Sequence, residues 1–229
     1  MNAIPTRRLL AGLAGLALVA LPLSACGSEN DNDSSSESSS SSESSGPIEY
    51  LAQIDDLSTN GGTTEVALDA GFVEALTALK VTPSPFRDAK VQDGVASFPI
   101  TGGNVGLFEP GSTPDYVVGQ VQHENSGLNL EAGGTTVTIG NFDVDPVASV
   151  VYGDVAVDGD VAATSVRIFT LDGTTLEEPD LSADADEVVL QGSGVFLDEG
   201  AAQLLNDTFG IDDLSGEVKV GVARIAVNT

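Results

Sequence analysis

Tryptophan is absent from this 229-residue chain, and cysteine, histidine and methionine occur once each. Three tyrosines and eight phenylalanines make up an aromatic content of only 5%. Each scarcity removes a class of chemistry. With His123 and Cys26 as the lone members of their types, clustered His/Cys zinc sites are excluded. A Ser-His-Asp arrangement would have to use His123, yet no Gly-x-Ser-x-Gly nucleophile elbow is present. Neither a Gly-x-Gly-x-x-Gly dinucleotide turn nor a Walker phosphate loop occurs. Glycan-cleaving clefts ordinarily offer an aromatic platform, which a chain without Trp lacks the means to build. A carboxylate-based hydrolase needs only two acids, and with 35 of them it stays open as an alternative. No site argues for it, so the chain is read as a non-catalytic protein.

Positive charge is equally scarce. Eight Lys and Arg face 35 Asp and Glu, for a net charge of -27. So negative a surface repels phosphate backbones and argues against nucleic acid as a partner. Its plain effect is solubility and mutual repulsion. Two of the few cations, Arg7 and Arg8, stand before the apolar run Leu9 to Leu21, which ends at Pro22. That run is too short for a spanning helix, which needs about 20 apolar residues. A basic start, an apolar middle and the small residues Leu23-Ser24-Ala25 make an export signal. With Cys26 next in line, the tetrad resembles the lipobox of bacterial lipoproteins. The resemblance implies that residues 1–25 are removed and that the Cys26 sulfur carries a diacylglycerol. The protein would then be extracytoplasmic and anchored to the cell membrane by lipid. Thr6-Arg7-Arg8-Leu9-Leu10 also resembles a twin-arginine signal, so that route and general secretion both stay open.

Residues 26–46 follow as the lipidated cysteine and a linker of Ser, Asp, Glu, Asn and Gly with no apolar residue beyond Cys26. Such a segment cannot offset the entropy of ordering and is expected to be disordered. As a coil it reaches about 5–6 Å times the square root of its length, some tens of ångströms in all. Its acids extend it further by repelling one another.

Residues 47–229 suffice for a single domain with a sizeable core. Apolar residues alternate over Thr63 to Leu68, Val91 to Ile100, Tyr116 to His123, Leu128 to Leu130, Thr136 to Phe142, Val147 to Val157, Val161 to Leu171, Val188 to Leu197 and Val218 to Val227. Period two with Val, Ile and Thr predicts half-buried strands. Asp93-Gly94, Gly102-Gly103, Gly133-Gly134, Asp158-Gly159 and Asp172-Gly173 read as turns between them. The expected fold is mainly β, an antiparallel β-sandwich with two short amphipathic helices. Those helices are Asp69 to Leu79 and Asp198 to Phe209, each behind a capping Asp. Ala67-Leu68-Asp69-Ala70-Gly71 and Phe196-Leu197-Asp198-Glu199-Gly200 open them alike. Either a repeated strand-helix-strand unit or convergent use of Asp and Gly would give that match.

Two candidate sites emerge. Asp143 with Asp145, and the run Asp154, Asp158 and Asp160, are the densest acidic loops. Hard oxygens of this type suit calcium, with Asp154, Asp158 and Asp160 as the candidates, although turns also use Asp for backbone hydrogen bonds. Asn206-Asp207-Thr208 fits a glycosylation sequon that a bacterial lipoprotein would leave idle. His123 ends the strand face of Val117, Gly119 and Val121, where a rim hydrogen bond is the ordinary expectation. Gly119-x-Val121-x-His123, Ser126-Gly127-Leu128-Asn129-Leu130 and Asn141-Phe142-x-Val144 together resemble a stretch of HtaA-type haem-uptake domains. The resemblance covers about a third of the domain, from Tyr116 to Val157, and implies a β-sandwich with short helices. It would make His123 the histidine that supports the iron. The family's haem-ligating tyrosine belongs to the N-terminal helix, which here is Ala70 to Leu79 without Tyr, His, Met or Cys. Haem is therefore carried only as an alternative cofactor, ligated by His123 or a displaced tyrosine.

The resulting expectation is a lipid-anchored envelope module that binds a small ligand or an envelope protein, with no cofactor, or alternatively relays haem. Cys26→Ala should abolish processing and membrane retention of the full chain, read by cell fractionation and by mass. Normal processing and retention of that variant would remove the anchor from the account.

Overall fold

Residues 49–179, 181 and 186–228 are described by the computed structural model, so the signal, Cys26 and the linker lie outside the described residues. Alternation becomes strand wherever turn residues bracket it. The first strands are β1 (Ala52–Ile54), β2 (Gly62–Leu68), β3 (Thr82–Arg87), β4 (Lys90–Gln92), β5 (Val95–Pro99) and β6 (Gly102–Leu107). The longer ones follow: β7 (Val117–Ala132), β8 (Thr135–Asp145), β9 (Val150–Val157), β10 (Asp160–Asp172), β11 (Glu187–Leu197) and β12 (Lys219–Asn228). All pair antiparallel into one sheet of order β1-β6-β7-β8-β9-β10-β11-β12-β2-β5-β4. The edge of β7 left over by β6 is taken by β3, through Thr82 to Arg87 against Ser126 to Glu131.

This sheet curls until its far ends face each other, the sandwich-like arrangement that the alternation predicts. Phe98 of β5 meets Phe142 of β8 edge-on, with ring centroids 5.2 Å apart. Val121, Val137 and Val155 are fully buried on the inner face. Such T-shaped pairs add about 0.5–1.5 kcal/mol beyond the area they bury.

The two expected helices form as α2 (Ala70–Ala78) and α3 (Glu199–Phe209), preceded by a four-residue helix α1 (Leu57–Asn60). A single turn carries no periodicity, so α1 left no trace in the apolar pattern. Asp69 accepts from the Gly71 N–H and Asp198 from the Gly200 N–H, both at 2.8 Å. The likeness extends to the backbone, since Leu68 N–H donates to Gly94 and Leu197 N–H to Val218. It stops after the helix: α3 leads straight to β12, whereas β3 and β4 intervene between α2 and β5.

Four details depart from the expected pattern. Gly102-Gly103 opens β6 rather than forming a turn, because the strands approach so closely there that a Cβ on Gly103 would lie 2.0 Å from the Gln120 carbonyl. The run Val91 to Ile100 is split by its own Asp93-Gly94 into the hairpin β4–β5. Strand β3 escaped notice because Pro83 and Pro85 speak against a strand, yet proline is tolerated on an edge. Tyr116 to His123 and Leu128 to Leu130 are one strand, β7, interrupted by a register shift between His123 and Gly127. The shift changes the inward parity from Val121 and His123 to Leu128 and Leu130.

That irregularity is not isolated. Pairings shift again between Gly140 and Asp143 of β8 and between Ala163 and Val166 of β10. Asn125, Asn141 and Ser165 all adopt positive φ at these points, a region that asparagine enters more readily than most residues. The bulges are laced together across the sheet. Arg87 Nη1 donates to Asn125 Oδ1 at 2.9 Å, and Asn125 N–H donates to Asn141 Oδ1 at 3.0 Å. Asn141 Nδ2 donates to Asp154 Oδ2 at 2.9 Å, and Ser165 N–H to Asp154 Oδ1 at 3.0 Å. Asn141→Ala removes two of these bonds and a residue suited to its backbone, so it should cost about 1–2 kcal/mol in a urea titration. A cost within error of zero would show the lacing to be incidental.

Candidate functional site

Curling leaves a cavity of about 510 Å³ between the two halves of the sheet. Phe98, Phe142, Phe169, Leu171, Val195 and Ile225 are among the residues of its apolar wall. The start of β7, the end of β8, the start of β9 and the end of β10 fall at one end of an antiparallel sheet. Tyr116, Pro146, Ser149 and Asp172 line the cavity from those positions and mark its mouth. Its deepest polar groups are His123 and Thr64, which are 1% and 6% exposed.

His123 is therefore not a rim residue but part of the core, although alternation placed it on the correct face. Its Nδ1 lies 3.3 Å from the Phe142 carbonyl, which can only accept, so Nδ1 carries the proton. Nε2 then accepts from the Thr64 hydroxyl at 2.7 Å. Both ring nitrogens are thus engaged, and the Phe98 ring stands edge-on 6.5 Å away. Burial pushes the imidazole pKa from 6.5 down to about 4, against a smaller upward pull from the Phe142 and Val121 carbonyls. A neutral ring with both nitrogens engaged does not act as a base near neutral pH. It could ligate iron only by giving up the Thr64 hydroxyl.

Tyr116 stands half-buried at the mouth. Desolvation, and then the charge of Glu178, raise its phenol above the ordinary value, which opposes the phenolate that an iron ligand requires.

On the outer face, the bulges border a polar hollow of about 600 Å³ that includes Glu124, Asn125, Asn141, Asp143, Tyr152 and Asp154. Burial, and then the charge of Asp145, push the Asp143 carboxyl pKa above its ordinary value, and its Oδ1 is buried without a hydrogen-bond partner among the described residues. The calcium candidates are dispersed by their hydrogen bonds. Asp154 is committed to Asn141 and Ser165, Asp158 accepts from the Thr136 N–H at 2.8 Å, and Asp160 opens β10. Among the described residues no group of three His, Cys, Asp or Glu is placed to hold a metal ion. The sequon residue Asn206 is likewise occupied, through both side-chain atoms, by Leu214.

No protein-family model matches this chain, and no curated protein sequence does. Among solved structures it is similar to the C-terminal domain of HtaA from Corynebacterium glutamicum, with a TM-score of 0.51 at 12% identity. That match covers 74% of this chain and 96% of the domain. The N-terminal domain of the same protein matches 73% of this chain and 96% of itself, with a TM-score of 0.44 at 13% identity. The likeness to the C-terminal domain is one of fold. It extends the resemblance seen from Tyr116 to Val157 to the architecture of most of the domain.

The buried imidazole has a definite consequence for stability. Above pH 6.5 it is neutral in both folded and unfolded chains. As pH falls from 6.5 towards 4, only the unfolded chain takes up the proton, so stability is progressively lost. The loss approaches about 3 kcal/mol near pH 4. Urea midpoints between pH 7.5 and 4.5 should therefore fall more steeply for the natural chain than for His123→Gln. Equal slopes would mean that His123 titrates normally.

Proposed function

We propose that this protein is a lipid-anchored envelope lipoprotein whose β domain is a non-catalytic binding module for an apolar small molecule. The observation that carries the binding reading is the cavity of about 510 Å³, apolar along its walls and reached from one end of the sheet. Ligand pockets typically measure about 300–1,000 Å³ and pair apolar walls with a few polar groups that fix orientation. Here His123 and Thr64 are those groups. Anchoring rests on the Leu23-Ser24-Ala25-Cys26 tetrad and on the polar linker behind it.

Haem is the second reading. It is favoured by the fold shared with the HtaA C-terminal domain together with the place of His123 in the cavity wall. In that reading the Thr64 hydroxyl turns away and frees Nε2 for the iron.

Both readings can be tested on the chain from Gly27, which lacks the lipidated Cys26 and retains every described residue. The uncharged fluorophore N-phenyl-1-naphthylamine should bind saturably, and Ala223→Phe, which fills the cavity from β12, should weaken binding at least tenfold. Absence of saturable binding would defeat the apolar-ligand reading. A haem titration decides the second: a Soret band that shifts in His123→Ala supports it, and no band, or one indifferent to that change, removes it.

A further inference from the structure

The cavity is apolar inside, but its mouth carries charge of one sign. Asp115 and Asp172 line it, the first exposed on the β6–β7 connection and the second at the end of β10. Glu178, in the segment after β10, is near enough to act electrostatically on Tyr116 between them. Among the described residues no Lys or Arg lines the cavity, and Lys219 at the start of β12 draws on Asp172 from outside it. Asp172 also accepts from Thr174, which it caps. Asp115 makes no side-chain hydrogen bond among the described residues and stands free to meet a ligand.

We infer that the cavity selects an amphiphile with a cationic head, its alkyl or polycyclic body inside and an ammonium or quaternary ammonium group at the mouth. This rests on the cavity being the binding site. Two carboxylates lining one opening, Asp115 and Asp172, favour a cation and repel an anion, and the net charge of -27 adds a field of the same sign. The Tyr116 ring beside Asp115 offers the aromatic surface on which alkylated ammonium groups settle. Being solvent-exposed, the selection is electrostatic and fades with salt. The same rim opposes a ligand bearing two carboxylates.

The test compares heads on one tail. Dodecyltrimethylammonium, dodecyl maltoside and dodecyl sulfate, each below its micelle concentration, are used to displace N-phenyl-1-naphthylamine from the chain that starts at Gly27. At low salt the trimethylammonium compound should displace it at a concentration at least tenfold below the sulfate, with the maltoside between them. At 0.5 M salt the gap should narrow severalfold. Asp115→Asn combined with Glu178→Gln should shrink it at low salt, and a gap as wide as in the natural chain would overturn the inference. Probe binding with equal or stronger displacement by the sulfate would overturn the head-group inference and leave the cavity reading intact. Failure of the probe itself to bind would end both.

Discussion

One hydrogen bond joins what the chain order keeps far apart. Thr64 of β2 and His123 of β7 are separated in the sheet by five intervening strands, and their 2.7 Å contact spans the interior where the curled sheet faces itself. A sheet of this length has many ways to twist, and apolar packing alone fixes register loosely. A buried polar pair tolerates one arrangement: a slip of one residue would turn the hydroxyl or the imidazole to the outer face, and a slip of two would set it against an apolar neighbour with its partner left unpaired. The same closure leaves short side chains, Ala96 and Ala223, among the aromatic rings that line the cavity.

Much of the fold was legible because its signals are local. Asp69 and Asp198 announce their helices through a cap that needs only the next two residues, and the Asp-Gly and Gly-Gly turns fall at hairpins wherever both flanks alternate. What could not be read depends on neighbours remote in sequence. Pro83 and Pro85 are acceptable in β3 only because it lies on an edge. Gly103 is glycine because of the Gln120 carbonyl opposite, not because of a turn. The register shift in β7 looked like a strand end, since a one-residue change of parity breaks alternation much as a loop does.

The site was half legible for the same reason. Alternation put His123 on the inner face, but its depth depends on Thr64 and Phe142, distant residues that no spacing rule connects. The acidic residues misled in the opposite direction. Asp154 and Asp158 are dense in sequence, yet each is consumed by a backbone or amide donor on an adjacent strand, as turn and bulge acids commonly are. Asp143 stood out only as one of many acids, because the burial of its Oδ1 behind a bulge depends on strands remote in sequence.

The prolines of β3 also determine how the molecule behaves in company. An edge strand ordinarily offers its unpaired N–H groups to any passing strand, and a sheet of this length would be a ready template for fibres. Pro83 and Pro85 supply no such donors, and Arg87 at the end of β3 is held by Asn125. The two ends of the sheet, β1 and β4, are each only three residues long, and β4 begins with Lys90. Borders blunted in this way deny a second copy the edge on which it could extend the sheet, even where many copies are crowded together.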